Sequence, residues 1–464
     1  MSTQAAEFKT AARRVTADLN HRALIQTAMG QYEPKRDQNR ALFQNWEQAR
    51  LLASGIKWDA LNHLDSLLEQ FSSNLESRGA KVHWAGDAEE ARQIIVGICR
   101  DKQARCVVKS KAMTGEEIHI NEALEAAGMN VVESDLGEFI VQLRNEAPYH
   151  IVFPAMHLTR GQIRKTFQDK LGDAPSEEPE QLTMVARRVL RKTYLQADVG
   201  ITGANFAVAD PGVVSITENE GNARLTAALP KTMITLVGIE KVVPRFEDLA
   251  LFLPMLATMG AGQLMSGYNT LYGGPRQPGE SDGPQDYHVV LLDNNRSQVL
   301  ADPEQRDALR CIRCGACLNV CPVYRHVGGH TYNTTYPGPI GSVITPDLRG
   351  AEEWGHLANA SSLCGACSEV CPVRIDLHHH LLQIRRNLGS RKPSLFQAAA
   401  FKIAAAVFNS RFLWKLLTKG GRFGQRFHKL IRGTRIDPAY VWTQSRDLPP
   451  VAPQSFKEYW RARR

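Results

Sequence analysis

The sequence predicts two dissimilar folded parts and a basic tail. These are an N-terminal α/β domain with a mostly parallel sheet, an all-helical cysteine-rich domain, and a helical C-terminal region. Three observations predict this. From about Lys81, short apolar runs alternate with helical stretches. Seven of the nine cysteines lie between residues 311 and 371. After Arg385, basic residues far outnumber acidic ones. The 464 residues are enough for two or three domains. The expected divisions are a helical N-terminal region (1–78), an α/β domain (79–297), a cysteine-rich domain (298–388) and a basic C-terminal region (389–464).

The N-terminal region carries apolar residues at three- and four-residue spacing over Ala23–Met29, Asn39–Leu52 and Trp58–Ser73, with Glu33-Pro34 breaking the run. The alternation then begins. Strands are expected at Lys81–Ala85, Cys106–Lys109, Asn130–Val132 and His150–Phe153. Helices are expected at Ala88–Arg100, Gly115–Ala127 and Leu136–Leu143. Such a rhythm builds a doubly wound, mostly parallel sheet. Asp198–Thr217 reads as consecutive strands with a turn at Asp210-Pro211-Gly212. Lys231–Ile239 and His288–Asp293 read as strands flanking a helix at Arg245–Leu256.

The cysteines carry the chemistry. Cys311, Cys314, Cys317 and Cys321 follow the 2-2-3 spacing and precede Pro322; Cys364, Cys367 and Cys371 precede Pro372. This spacing wraps cuboidal iron–sulfur clusters, and the fourth thiolate of each run ligates the other cluster. Zinc sites use two Cys pairs and do not need the run of four with its trailing proline. Cys311, Cys314, Cys317 and Cys371 are therefore expected to hold a first, [4Fe-4S] cluster. Cys321, Cys364 and Cys367 are expected to hold a second. Ser361 stands where its fourth cysteine would be, so this cluster is either [3Fe-4S] or a [4Fe-4S] completed by Ser361, water or a substrate atom. Helical stretches at Pro303–Arg310, Glu352–Ala360 and Ile375–Leu388 resemble the all-helical two-cluster ferredoxin-type domain of succinate dehydrogenase and heterodisulfide reductase subunits. The insert Tyr332–Asp347, rich in Gly, Pro and Tyr, reads as an ordered loop over the clusters.

Composition narrows the class. No run of about 18 apolar residues occurs and the N-terminus has no apolar signal core. A cytoplasmic protein is expected, in keeping with cluster thiolates kept reduced. Cys99 and Cys106 read as buried hydrophobes. Between Arg385 and Arg464 there are 18 Lys/Arg and 3 Asp/Glu, a net of +15 in a chain of net charge +8. Phe401–Leu417 is amphipathic enough to lie on a surface. Packing on the protein's own core, docking to an electron-accepting partner and peripheral contact with the inner face of the membrane are all compatible with this charge. No nucleic-acid module accompanies it.

Two further loops can hold ligands. Thr217–Asn222 follows a strand, with Glu220 and Asn222 the candidate catalytic residues. Lys109–Glu117 opens a helix whose amides and lysines suit an anion, or equally a capping box from Thr114 to Glu117. No GxGxxG or Walker loop is present. His378-His379-His380 reads as a solvated helix face.

KSKAMTGEEI (109–118), DLGEFIVQL (135–143), ITGANFAVAD (201–210), NEGNARL (219–225), RCIRCGACLNVCPVYRHVGGH (310–330) and SSLCGACSEVCPVRI (361–375) together resemble the lactate-utilisation protein B family. The resemblance implies a CoA-transferase-like α/β domain, a dicluster domain, and an iron–sulfur, electron-carrying subunit in the oxidation of L-lactate to pyruvate. It also implies two partners: a cysteine-rich-domain subunit and a second subunit with the same type of α/β domain. Related roles on glycolate or a heterodisulfide, or a CoA-transferase-like enzyme with structural clusters, are the alternatives.

Overall fold

Among the described residues ten short strands follow one another: β1 (Lys81–Ala85), β2 (Cys106–Lys109), β3 (Asn130–Glu133), β4 (Val199–Gly203), β5 (Phe206–Val208), β6 (Val213–Glu218), β7 (Thr232–Gly238), β8 (Val242–Val243), β9 (Tyr268–Tyr272) and β10 (Asp286–Leu292). The computed structural model describes residues 2–173, 176–391, 395–434, 436–437, 439–443 and 446–463. It contains two compact units, Met1–Leu388 and Gly389–Arg464.

In the first unit six strands pair in the order β1-β10-β7-β4-β2-β3, all parallel. Every residue of the central strands β4 and β7 is buried. That is expected of a parallel sheet covered on both faces. Four strands that the sequence reads as continuations of this sheet, or does not show, form a second, mixed sheet in the order β8-β5-β6-β9. The Asp210-Pro211-Gly212 turn closes the antiparallel β5–β6 pair, with the Gly212 amide donating to the Ala209 carbonyl at 3.1 Å. Between β4 and β5, Asn205 accepts the Thr217 amide on its side-chain oxygen at 2.8 Å.

Several local expectations are corrected. Pro34 does not break the first run: Leu19–Arg40 is one helix, held by the buried face of Ile25, Met29, Tyr32 and Arg36. The break falls later, where Asn45 caps a new helix, Trp46–Asn62, by accepting from the Gln48 amide at 3.0 Å. His63 then separates it from Leu64–Glu76. Gly115–Ala127 is two helices, Met113–Glu117 and Ile120–Ala126, divided at His119 in the left-handed region (φ 52). Asx-like chemistry explains His150–Phe153, which is a turn and not a strand: His150 Nδ1 accepts from the Val152 and Phe153 amides at 3.0 and 3.2 Å. The segments before the cysteine motifs tighten into 3-10 turns, Arg306–Arg310 and Gly355–Asn359.

The largest correction is the insert. Gly338–Arg349 is a helix, buried along nearly its whole length, and not a covering loop. Pro339 sits in its first turn, where a missing N–H costs nothing. This helix belongs to one hydrophobic core with the cysteine motifs, the N-terminal helices and helix Leu249–Ala261. The N-terminal region therefore packs onto the cysteine domain. Phe8 meets Tyr332 edge-on at 5.5 Å, and Arg50 donates to the Cys371 and Ser368 carbonyls at 3.0 and 3.3 Å.

In the second unit the stretch Phe401–Leu417 is not one helix. Helices Leu395–Asn409 and Arg411–Ile431 meet at Ser410, whose extended backbone and hydroxyl cap the second. Arg464, the last residue of the tail, lies outside the described residues. Among the described residues no helix is long and apolar enough to cross a membrane.

Candidate iron–sulfur site

The two cysteine runs adopt the same local fold. In each, the residue before the second cysteine position is left-handed although it is not glycine: Arg313 (φ 59) and Leu363 (φ 56). A glycine with positive φ follows, Gly315 or Gly365, and opens a short helix, Ala316–Val320 or Ala366–Val370. Cys321 and Cys371 end these helices in extended conformation, as the proline after each requires. Non-glycine residues at positive φ cost energy and persist only where their surroundings demand it.

This geometry aims backbone amides at sulfur. Arg313 N lies 3.4 Å from Cys311 Sγ, Tyr324 N lies 3.5 Å from Cys321 Sγ and Ile375 N lies 3.4 Å from Cys371 Sγ. The Ile340 amide, in the first turn of the buried helix, lowers the Cys317 pKa against burial. Ser361 repeats the pattern in oxygen: its Oγ accepts the Leu363 amide at 3.1 Å, as Cys311 Sγ accepts that of Arg313.

The thiols influence one another in two groups that meet at Cys317 and Cys367. Burial raises the pKa of Cys314, and the nearby Cys311 and Cys371 raise it further. Burial pushes Cys371 up to about 11, with Cys311 adding to it. Cys321 is raised by burial and by Cys364, and Cys367 is pushed up to about 12 by burial, Cys321 and Cys364. Cys317 feels Cys311, Cys314 and Cys367. Crowded buried thiols of this kind ionise only when metal takes the place of their protons. Sulfur-only donors, amides pointed at them and a dry surround suit an iron–sulfur cluster.

The two halves differ in exposure. Cys314, Cys317, Cys321, Cys367 and Cys371 are buried, Cys311 is half-buried, and Cys364 is exposed. Ser361 is half-buried.

A buried charge network, not legible in the sequence, backs Cys311. Arg296 grips Glu117 with two hydrogen bonds (2.8 and 2.7 Å) and reaches Glu240 at 2.6 Å. Glu117 also accepts from Tyr336 (2.6 Å) and Asn294 (2.7 Å). Arg313 donates to Glu240 at 3.1 Å and lies over the Tyr336 ring at 4.8 Å. Lys57 donates to the Glu240 and Val242 carbonyls at 2.5 and 3.0 Å. Burial outweighs the Glu240 carboxylate and lowers the Lys57 pKa to about 8; Lys241 is lowered to about 8 for the same reason. Against burial, Arg296 and Arg313 hold Glu240 near 2. Arg313, between Cys311 and Cys314, is the one member of this network that lies inside a cysteine motif.

A turn carries the α/β domain into the cysteine domain. His150 accepts two amides on Nδ1, so Nε2 bears the hydrogen that it donates to Asn319 Oδ1 at 2.9 Å, between Cys317 and Cys321. Tyr324 donates to the Tyr149 carbonyl at 2.9 Å. Gly329 allows this closeness, since a Cβ there would lie 1.7 Å from the Tyr149 oxygen. Lys111 is drawn into the same turn, donating to the Val152 carbonyl at 2.7 Å.

The other candidates fare less well. Lys109 is buried between Glu133 (2.8 Å) and Glu116 (3.0 Å), and Lys111 is engaged as above, so neither faces an anion. The capping box is absent too: Ala112 is the cap residue, Thr114 is buried, and Glu117 serves Arg296. Glu220 is exposed and accepts the Leu136 amide at 3.2 Å; partial desolvation and Asp135 raise its pKa. Asn222 is buried, and Glu218, not Glu220, takes the Ala223 and Arg224 amides of the following helix (2.6 and 2.9 Å). Neither Glu220 nor Asn222 touches the cysteines. The three histidines do not share a solvated face: His378 and His379 turn onto Asp376, while His380 is buried against Asp307.

Two known domain families match separate stretches of the chain. The LUD domain family matches residues 68–292 and the 4Fe-4S dicluster domain family matches residues 307–375. A lactate utilization protein B of Shouchella clausii is 46% identical over 90% of this chain and 89% of its own length. One of Oceanobacillus iheyensis is 44% identical over 95% and 93%. One of Bacillus subtilis is 42% identical over 90% and 88%. A solved structure of a DUF162 family protein from Deinococcus radiodurans is 15% identical and covers 49% of this chain and 98% of its own, with a TM-score of 0.28. With likeness of this degree running through both the α/β domain and the cysteine domain, the chain belongs to the lactate utilization protein B family.

Proposed function

We propose that this chain is the electron-carrying iron–sulfur subunit of a cytoplasmic system that oxidises L-lactate to pyruvate. The observation that carries the proposal is the interleaving of the motifs: Cys371 interacts with Cys311 and Cys314, while Cys321 interacts with Cys364 and Cys367. Cys311, Cys314, Cys317 and Cys371 would hold one [4Fe-4S] cluster. Cys321, Cys364 and Cys367 would hold the other, [4Fe-4S] or [3Fe-4S], with Ser361 Oγ the candidate fourth ligand. Such clusters supply one-electron transfer when bound.

The chain's own residues do the rest. The amides of Arg313, Ile340, Tyr324 and Ile375 stabilise negative charge on sulfur. Arg313 and Lys57 offset charge at Cys311. Exposed Cys364 leaves the second site within reach of a redox partner. The partners would be a cysteine-rich-domain subunit and a second LUD-domain subunit.

The test is Cys371→Ala in anaerobically purified protein. Interleaving requires loss of the spin signal of the cluster held by Cys311, Cys314 and Cys317. Loss of the other cluster alone would mean that the motifs are self-contained. Addition of L-lactate and both partners should reduce the parent's clusters.

A second reading, a CoA-transferase-like reaction at Glu220, rests on its exposed, raised carboxyl. Glu220→Gln separates the two: unchanged lactate-dependent reduction removes this reading.

A further inference from the structure

We infer that the C-terminal unit is a docking module for an anionic lipid surface. Helix Leu395–Asn409 holds Phe396, Phe401 and Phe408 at 83%, 76% and 70% exposure. Helix Arg411–Ile431 adds Phe412 (73%), Leu416 (60%) and Leu417 (55%). Large side chains left in water at this density mark a binding surface.

The second helix sorts its residues. At about 100° per residue, Phe412, Leu413, Leu416, Leu417, Leu430 and Ile431 span one arc of roughly 140°, while Arg411, Lys415, Lys419 and Arg422 fall in a separate arc of roughly 80° beside it. That is the pattern of a helix lying in the plane of a membrane, apolar face down, with Lys and Arg reaching the headgroups. The first helix carries one charge, Lys402, and is apolar on all sides.

Charge selects the occupant. From Leu395 to Ile431 the sequence contains no Asp or Glu. A field of phosphate headgroups attracts cations and repels acids, and a stretch without a single acid suits it. The bulky aromatics match the interfacial zone of a bilayer, and neither helix can cross one. The unit therefore lies on the surface and does not span it.

The experiment uses the full-length, iron-loaded protein and two kinds of vesicle: phosphatidylcholine alone, and equal parts phosphatidylcholine and phosphatidylglycerol. The protein should sediment with the anionic vesicles, leave them in high salt, and remain in solution with the neutral ones. Reversing Arg411, Lys415 and Lys419 to Glu should lower partition at least about a hundredfold, since each cation near the surface contributes about fivefold. Phe412→Ser with Leu416→Ser should also release the protein. A variant that loses iron or helix content is replaced by salt release of the parent, which tests the same electrostatics. No binding of the intact protein to anionic vesicles overturns the inference and leaves the surface to an acidic protein partner. Equal binding to both vesicle types overturns it too, as does a charge-reversed variant that binds like the parent.

Discussion

The two cysteine runs share residue types, a left-handed turn, a positive-φ glycine and a proline stop, yet they live in different media. The first lies in the main core, walled by the helix Gly338–Arg349 and backed by the Arg296–Glu117–Glu240 network. The second keeps Cys367 and Cys371 inside but leaves Cys364 exposed and Ser361 half-buried, with oxygen where the first has sulfur. The same local fold thus serves two ends. One run is packed into its surroundings, and the other opens to solvent. Local sequence determines how thiolates are presented; packing determines what they are presented to.

That contrast is most easily broken with cysteine replacements. Cys317→Ala should drop iron from about eight to about four or fewer per chain and lower the unfolding midpoint, because a core residue and its metal are lost together. Cys364→Ala should cost about half the iron and leave the midpoint near the parent's. Iron analysis with thermal melts checks both. Equal destabilisation by the two would erase the distinction between inner and outer sites.

Next is the charge network that only the first run possesses. Glu240→Ala strands Arg313 in the core and leaves Arg296 with Glu117 alone. Breaking a buried pair on one side costs about 3–5 kcal/mol. Denaturant unfolding should register a loss of that size, and Glu240→Gln, which keeps hydrogen-bond acceptance, should recover part of it.

His150 gives the inner site a pH dependence. Burial, with Lys111 adding, lowers its pKa from 6.5 to about 3. A base with a depressed folded-state pKa stabilises the fold fully above its unfolded value and progressively less as pH falls. Its contribution is therefore complete above about 6.5 and fades toward about 3. Between pH 7 and about 4 the parent should lose on the order of 3 kcal/mol from this group. His150→Gln should flatten that limb of the stability curve while leaving the second cluster's spectrum unchanged.

The smallest effect concerns the outer site. Ser361→Cys replaces a neutral hydroxyl that already holds the ligand-like hydrogen bond from Leu363. The variant should keep about eight irons in air where the parent falls to about seven. A parent that retains both clusters intact in air would show that another group completes the second cluster.

Much of the α/β domain was legible because its strands are short apolar runs and its helices amphipathic. β1, β2, β7 and β10 stand within a residue or two of their expected places. What failed did so for tertiary reasons. Pro34 was tolerated because a buried face held the helix, and the Gly-Pro-Tyr-rich insert became a helix because the core enclosed it. His150–Phe153 looked like a strand, but a histidine ring took its amides. The cysteines were readable because cluster ligation demands a spacing. Glu117, Glu240 and Arg296 were not, because nothing in a linear sequence distinguishes a buried carboxylate from a solvated one.

By itself the sequence determined the spacing of the seven cysteines, the turn around each and the absence of a thiol at position 361, since these depend on residues a few positions apart. Only the tertiary structure decided which thiols meet, which face water and which charges stand behind them. Those are sums over contacts between segments distant in the chain. Cys371 beside Cys311, Arg296 between Glu117 and Glu240, and Arg50 on the Cys371 carbonyl each join parts that no local pattern connects.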